Sequence, residues 1–277
     1  MQYIDQGTAQ HDGLINANND AVYMGVDSPN VATGSGHNSV RITSKKSYNH
    51  GLVILDLAHM PGGVCGTWPA FWMVGPNWPN HGEIDIIEGV NSQNSNSMTL
   101  HTDAGCSITN NGKYTGTMTT SNCNVAAAGQ STNAGCQINT PSSASYGTGF
   151  DSNGGGVYAT EWTSDEISIW FFPRSAIPSD ITSGSPDPTG WGTATASFSG
   201  GCDIDSHFQN LQIVCSFTKL PYRLQLILVL HRCLIRLSAE TGLVAFGLLT
   251  LHAPRRHLPA RLSFRTTLQL SRTLTGL

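Results

Sequence analysis

Short apolar runs separated by clusters of glycine, asparagine, serine and threonine set the rhythm of the first 214 residues. The runs "AVYMGV" (21–26), "NSVRITS" (38–44), "GLVILDLAHM" (51–60), "AFWMVG" (70–75), "EIDIIEGV" (83–90), "SMTLHT" (97–102), "GVYATEWT" (156–163), "EISIWFFP" (166–173) and "NLQIV" (210–214) have strand length, and most end at turn-forming residues. Strands recurring this way, without a long helical period, predict an all-β sandwich or barrel rather than βαβ units. Between residues 103 and 156 the hydrophobicity drops and three cysteines appear. A stretch that long needs a staple to sit in a compact domain. Cys106, Cys123 and Cys136, with Cys65 as the other candidate, are expected to supply it in pairings that spacing leaves open, and Cys202 is left without an evident partner.

From Cys215 the pattern changes. Residues 215–277 carry nine of the fourteen Lys and Arg residues, one acid (Glu240) and leucine every few positions. Their apolar runs fall short of the roughly 18 residues a bilayer span requires. Pro221, Pro254 and Pro259 interrupt any long amphipathic helix. The segment reads as an out-of-frame or intron-derived tail rather than a domain, so the sandwich is expected to occupy residues 1–214 and to be incomplete at its C-terminus. A formal net charge of -4 with 12% charged residues points to neither a nucleic-acid nor a membrane partner. Cysteines without C-x-x-C spacing fit disulfides and an extracellular protein better than a metal site. The N-terminus "MQYIDQGTAQHDG" lacks the regions of a signal peptide, so a truncated start is expected.

The chemistry concentrates in "HGEIDIIEGVN", where Glu83, Asp85 and Glu88 fall within six residues. On a regular strand Glu83 and Asp85 share one face while Glu88 points among the isoleucines of the other. An unpartnered carboxylate there is expensive, so a β-bulge near Ile86 and Ile87 is expected to turn Glu88 back beside the other two. A surface acidic strand or a metal cage is the plainer alternative. Calcium loops, however, alternate Asn and Asp with carbonyl ligands, whereas isoleucines intervene here. Two carboxyls with a helper between them suit retaining glycoside cleavage, which sets the pair roughly 5–5.5 Å apart.

The stretch "GTWPAFWMVGPNWPNHGEIDIIEGVN", with "MTLHT" downstream, resembles the active-site core of glycoside hydrolase family 16, in its fungal laminarinase or endo-1,3(4)-β-glucanase form. The resemblance extends to about Val214. It implies a jelly-roll β-sandwich with a concave glucan-binding cleft, Glu83 as nucleophile, Asp85 as assisting carboxylate and Glu88 as acid/base. It further implies substrate contacts from Trp68, Trp72 and His101, and more weakly from Asn38 and Arg41. Three positions apart, Asn38 and Arg41 would face opposite sides of a regular strand, so at most one is expected in the cleft. The expected partner is a β-glucan polysaccharide, met by a monomer with no cofactor and no metal. A carbohydrate-binding protein without turnover and a cell-wall transglycosylase are the alternatives.

Overall fold

The computed structural model describes residues 2–17, 21–27, 30 and 36–219. Beyond them it describes the strand backbones Ile227–Arg236, Val244–Ala245, Gly247–His252 and Ala260–Thr266. Two large sheets dominate. The first runs, edge to edge, through Thr117–Thr120, Cys136–Asn139, Ser97–His101, Glu83–Glu88, Thr67–Val74, Leu211–Lys219, Asn38–Tyr48, Ala260–Thr266 and Gly247–His252. The second runs through Ala196–Phe198, Ile167–Pro173, Gly156–Trp162, Gly51–His59, Ile227–Arg236, Val22–Gly25 and Ile15–Ala17. Helices among the described residues are short, none longer than the six residues of Gln6–His11 and Gly147–Ser152. None is long and apolar enough to cross a membrane.

Alternation along each strand sorts its residues between the core and the open face of the first sheet. Ile84, Met73, Phe71, Ile213, Cys215, Ile42 and Val40 point inward from neighbouring strands and join one buried cluster with Leu55, Leu57 and Tyr158 of the second sheet. Burial of each large aliphatic side chain contributes about 1.5–3 kcal/mol, which makes this shared layer the main force holding the sheets together. The register also decides the case of Asn38 and Arg41. Arg41 lies opposite Ser216 on the open face, whereas Asn38 has the parity of Val40 and Ile42 and points to the core side at the end of its strand. Asn38 is therefore not brought to the cleft.

Two cysteine expectations need correction. Cys106 bonds Cys202, and Cys123 bonds Cys136, while Cys65 is exposed and unbonded. The pairing of Gly200–Gly201 with Ser107–Ile108 brings Cys202 beside Cys106, a proximity that a separation of 96 positions hides in the sequence. The long polar segment is thus tied to the sheet by one short-range and one long-range bridge.

Strand Leu211–Lys219 runs unbroken past Val214, hydrogen-bonded to Thr67–Val74 on one side and Asn38–Tyr48 on the other. Further on, the backbone of Ile227–Arg236 pairs with Gly51–His59 and Val22–Gly25, and that of Ala260–Thr266 runs parallel to Asn38–Tyr48. The tail positions singled out by their prolines, 221, 254 and 259, lie outside the described residues.

Candidate active site

The acid strand Glu83–Glu88 is bracketed by two glycines that its surroundings demand. A Cβ on Gly82, where φ is +73°, would lie 2.4 Å from the Phe208 ring, and one on Gly89 would lie 2.5 Å from the Tyr146 ring. Between them the expected bulge is present. Asp85 lies opposite Trp72 and Ile87 opposite Phe71, leaving Ile86 as the extra residue. On the other side Asp85 pairs with Thr99 and Glu88 with Ser97. The extra residue lets Ile84, Ile86 and Ile87 all stay buried while Glu88 joins Glu83 and Asp85 on the open face.

The three acids line a cleft of about 400 Å³ together with Tyr3, Trp68, Trp72, His101, Asn133 and Ser216. A second lobe of about 510 Å³ opens beyond Glu88 toward Asn91, Gln93 and Gln137, sharing Trp68, Glu88, His101 and Asn133 with the first. Each outer acid accepts an indole N–H. Trp68 Nε1 donates to Glu88 Oε1 at 2.9 Å, and the Trp78 side chain donates to Glu83. Trp68 and Trp78 still expose more than two fifths of their surface. Trp72 is fixed from two directions. Its Nε1 donates to Ser216 Oγ at 3.3 Å, and the Arg41 guanidinium sits 4.6 Å from its ring centroid, a cation–π contact.

Asp85 is the most deeply buried of the acids. His101 Nε2 lies 3.2 Å from its Oδ2, without the alignment of a hydrogen bond. Burial pushes the Asp85 carboxyl well above the usual carboxylate range, reinforced by Glu88 and opposed by a hydrogen bond with Glu83. Burial also pushes Glu83 up to about 8, with Asp85 and Glu88 adding to the rise and His101 and Trp78 resisting it. Burial holds His101 below its ordinary value against the opposite pull of Glu83 and Glu88. Burial and crowding thus raise both carboxyls, and the two titrate as a pair. Glu83, Asp85 and His101 each offer an atom within 4.8 Å of the others, so this corner could also grip a cation.

Of the residues singled out in the sequence, Glu83, Asp85, Glu88, Trp68, Trp72 and His101 meet in the cleft, and Arg41 backs it through Trp72. Tyr3, Asn133 and Ser216 were not foreseen. Tyr3 arrives by pairing of the short strand Gln2–Tyr3 with Asn38–Ser39, and two residues carry no period to read. Asn133 sits in the polar segment in a left-handed conformation, φ 62°, with Gly135 two residues on packed against His101. That Asn and nearby Gly just before Cys136 were the available signal. Ser216 lies past the expected boundary, on a strand whose alternation continues through it.

Fold and site together define a class, a two-sheet β-sandwich with a row of carboxyl groups and tryptophans in an open cleft. The chain belongs to glycoside hydrolase family 16, its residues 1–219 matching the family described as "XgeA-like, catalytic GH16 domain". It is 53% identical over 216 residues to an endo-1,3(4)-beta-glucanase of Arthroderma benhamiae, covering 77% of this chain and 47% of that protein. It is 49% identical over 220 residues to a probable glycosidase of Schizosaccharomyces pombe, covering 79% and 52%. The chain thus spans about half the length of these relatives. Among solved structures it is similar to laminarinase 16A of Phanerochaete chrysosporium, described with β-glucans in donor and acceptor sites (TM-score 0.74, 45% identity, 78% of this chain and 74% of that one). It is also similar to an elongating family 16 beta-1,3-glucosyltransferase (TM-score 0.73, 47% identity, 78% and 72%).

Proposed function

We propose that this chain is an extracellular endo-β-glucanase that hydrolyses 1,3- or mixed 1,3/1,4-linked β-glucan with retention, as a monomer and without a cofactor. Glu83 attacks the anomeric carbon while Glu88 protonates the departing glycosidic oxygen. Glu88 then removes a proton from the water that resolves the glycosyl-enzyme. Asp85 holds Glu83 in place, and attack proceeds from the form in which Glu83 has given up its proton. The observation that carries this reading is the bulge that gathers three carboxyls on one open face, with each outer acid tied to an indole N–H. The relatives' described activities support the substrate class, and two disulfides support an oxidising compartment.

The proposed catalytic unit is a jelly-roll sandwich with a concave cleft, which we extend from the expected end at residue 214 to residue 219, because the last strand carries Cys215 into the core and Ser216 into the cleft. The basic, leucine-rich 215–277 is proposed to be no domain of its own. The family match, which ends at residue 219, supports a change of character near that point. The test is hydrolysis of laminarin and mixed-linkage glucan by the wild type and by Glu83→Gln and Glu88→Gln, with the anomer released first followed by NMR. Full activity in Glu83→Gln, or inversion at the anomeric carbon, would sink the mechanism.

A second reading is transglycosylation, favoured by the 47% identity to an elongating glucosyltransferase and by a second lobe that opens beside Glu88. There a sugar hydroxyl replaces water in resolving the glycosyl-enzyme. Products longer than the substrate at high acceptor concentration would establish it, and reducing ends rising without elongation would remove it.

A further inference from the structure

Beside the bulge lies a side chain that touches neither lobe of the cleft. Asn96 is completely buried, and its amide spans the irregular backbone on the far side of the acids. Its Oδ1 accepts from the Glu88 backbone N–H at 2.9 Å, and its Nδ2 donates to the Ile86 carbonyl at 2.8 Å. A bulge breaks the regular ladder at these positions, and Asn96 supplies the missing acceptor and donor from one planar group. Asn96 is itself fixed, its N–H donating to Ser145 Oγ at 3.0 Å and its carbonyl accepting from Thr140 N–H at 3.0 Å. Gln93 adds a second clamp, its Nε2 donating to the Glu88 carbonyl at 3.0 Å and to Ser97 Oγ at 3.1 Å. Both peptide groups of Glu88 are thus held by side chains from the turn that follows it.

We infer that Asn96 is a positioning residue for Glu88, its buried amide closing the bulge so that the Glu88 carboxyl stays on the cleft face against Trp68. The inference rests on the proposed role of Glu88 in glycoside cleavage, but it concerns how the acid is held rather than what it does. A leucine or an alanine could fill part of the same space, yet neither could serve an N–H and a C=O at once. A protonated aspartic acid could, with its O–H donating to Ile86 and its C=O accepting from Glu88. An ionised aspartate could not donate and would carry a buried charge.

The experiment compares wild type, Asn96→Ala and Asn96→Asp by kcat and KM on laminarin across pH, well below each variant's melting temperature. In parallel, the Glu88 carboxyl is followed by ¹³C NMR titration, assigned by its loss in Glu88→Gln. Asn96→Ala is expected to lower kcat about 100-fold with little change in KM, the scale that a misplacement near 1 Å carries. Its Glu88 titration is expected to move. Asn96→Asp is expected to approach the wild type at acid pH and to lose rate as its own carboxyl ionises. It also serves, at acid pH, where the alanine variant fails to fold. An unchanged kcat and an unchanged Glu88 titration in the folded variants would overturn the inference. A wild type inactive on every β-glucan but with Glu88 displaced in the variants would overturn the glucanase reading and leave the positioning role standing.

Discussion

Replacing Glu83 by glutamine is expected to abolish catalysis and stabilise the protein, and the gain in stability should grow with pH. The Glu83 carboxyl moves from an ordinary value near 4.5 to about 8 in the folded chain. Between those values the native state holds a proton that the unfolded chain has released, so folding grows less favourable as pH rises. The contribution is intact below about 4.5 and is lost progressively as pH climbs toward 8. At 1.36 kcal/mol per pH unit, the loss is about 3 kcal/mol at pH 7 and about 5 kcal/mol well above pH 8. Glutamine has no proton to lose and keeps an acceptor for the Trp78 indole. The Glu83→Gln variant should therefore match the wild type near pH 4 and exceed it by about 3 kcal/mol at pH 7, or about 6–12 °C in melting temperature. Urea unfolding of both proteins from pH 4 to 8, analysed by linear extrapolation, measures the difference directly. Turnover should fall on the order of 10⁴-fold or more with the nucleophile gone. A stability difference that stays flat across this range, or a variant less stable at pH 7, would refute the charge-crowding argument.

Loss of the Cys106–Cys202 bridge should cost about 5 kcal/mol and loss of Cys123–Cys136 about 3 kcal/mol, because the first closes 96 residues and the second 13. Paired Cys→Ser variants followed by denaturant titration would give that order, and a larger loss from the short loop would contradict it. Trp68→Phe keeps the ring but removes the N–H that meets Glu88, so kcat/KM should drop about 10–100-fold, the scale of a hydrogen bond to a charged group. An unchanged value would separate Trp68 from the chemistry. Prolonged EDTA treatment should leave hydrolysis intact, because the proposed steps need only carboxyls. Inactivation reversed by one added divalent cation would instead assign Glu83, Asp85 and His101 to a metal.

How much of this could be read from the sequence depended on whether a constraint was local. The bulge followed from six residues, because Glu88 had no tolerable partner among the isoleucines and one inserted residue cured the conflict. The parity of Arg41 and Asn38 was likewise local, and the register settled it for Arg41. Cys106–Cys202 was not legible, since it depends on two glycines reaching a two-residue strand about a third of the chain away. Asn133 and Tyr3 were hidden for a related reason. They enter the cleft from segments whose shape comes from a disulfide and from edge pairing, neither of which leaves a hydrophobic period. Asn96 escaped notice because its neighbours are also Asn and Ser, so nothing in composition separates the buried amide from the exposed ones around it.

The bulge links the fold to the charge. Regular pairing would send Glu88 into the isoleucine layer, where desolvation would compel it to keep its proton. The bulge instead brings its charge near Asp85 and Glu83 and adds to the rise in their affinity for protons. The same inserted residue that preserves the apolar layer therefore creates the electrostatic strain of the cleft. A variant that deleted Ile86 would leave the regular alternation Glu-Ile-Asp-Ile-Glu, in which all three acids keep the cleft face and their crowding persists, while the hydrogen bond from Asn96 to the Ile86 carbonyl is lost. Stability and chemistry should consequently respond in opposite directions to removal of an acid.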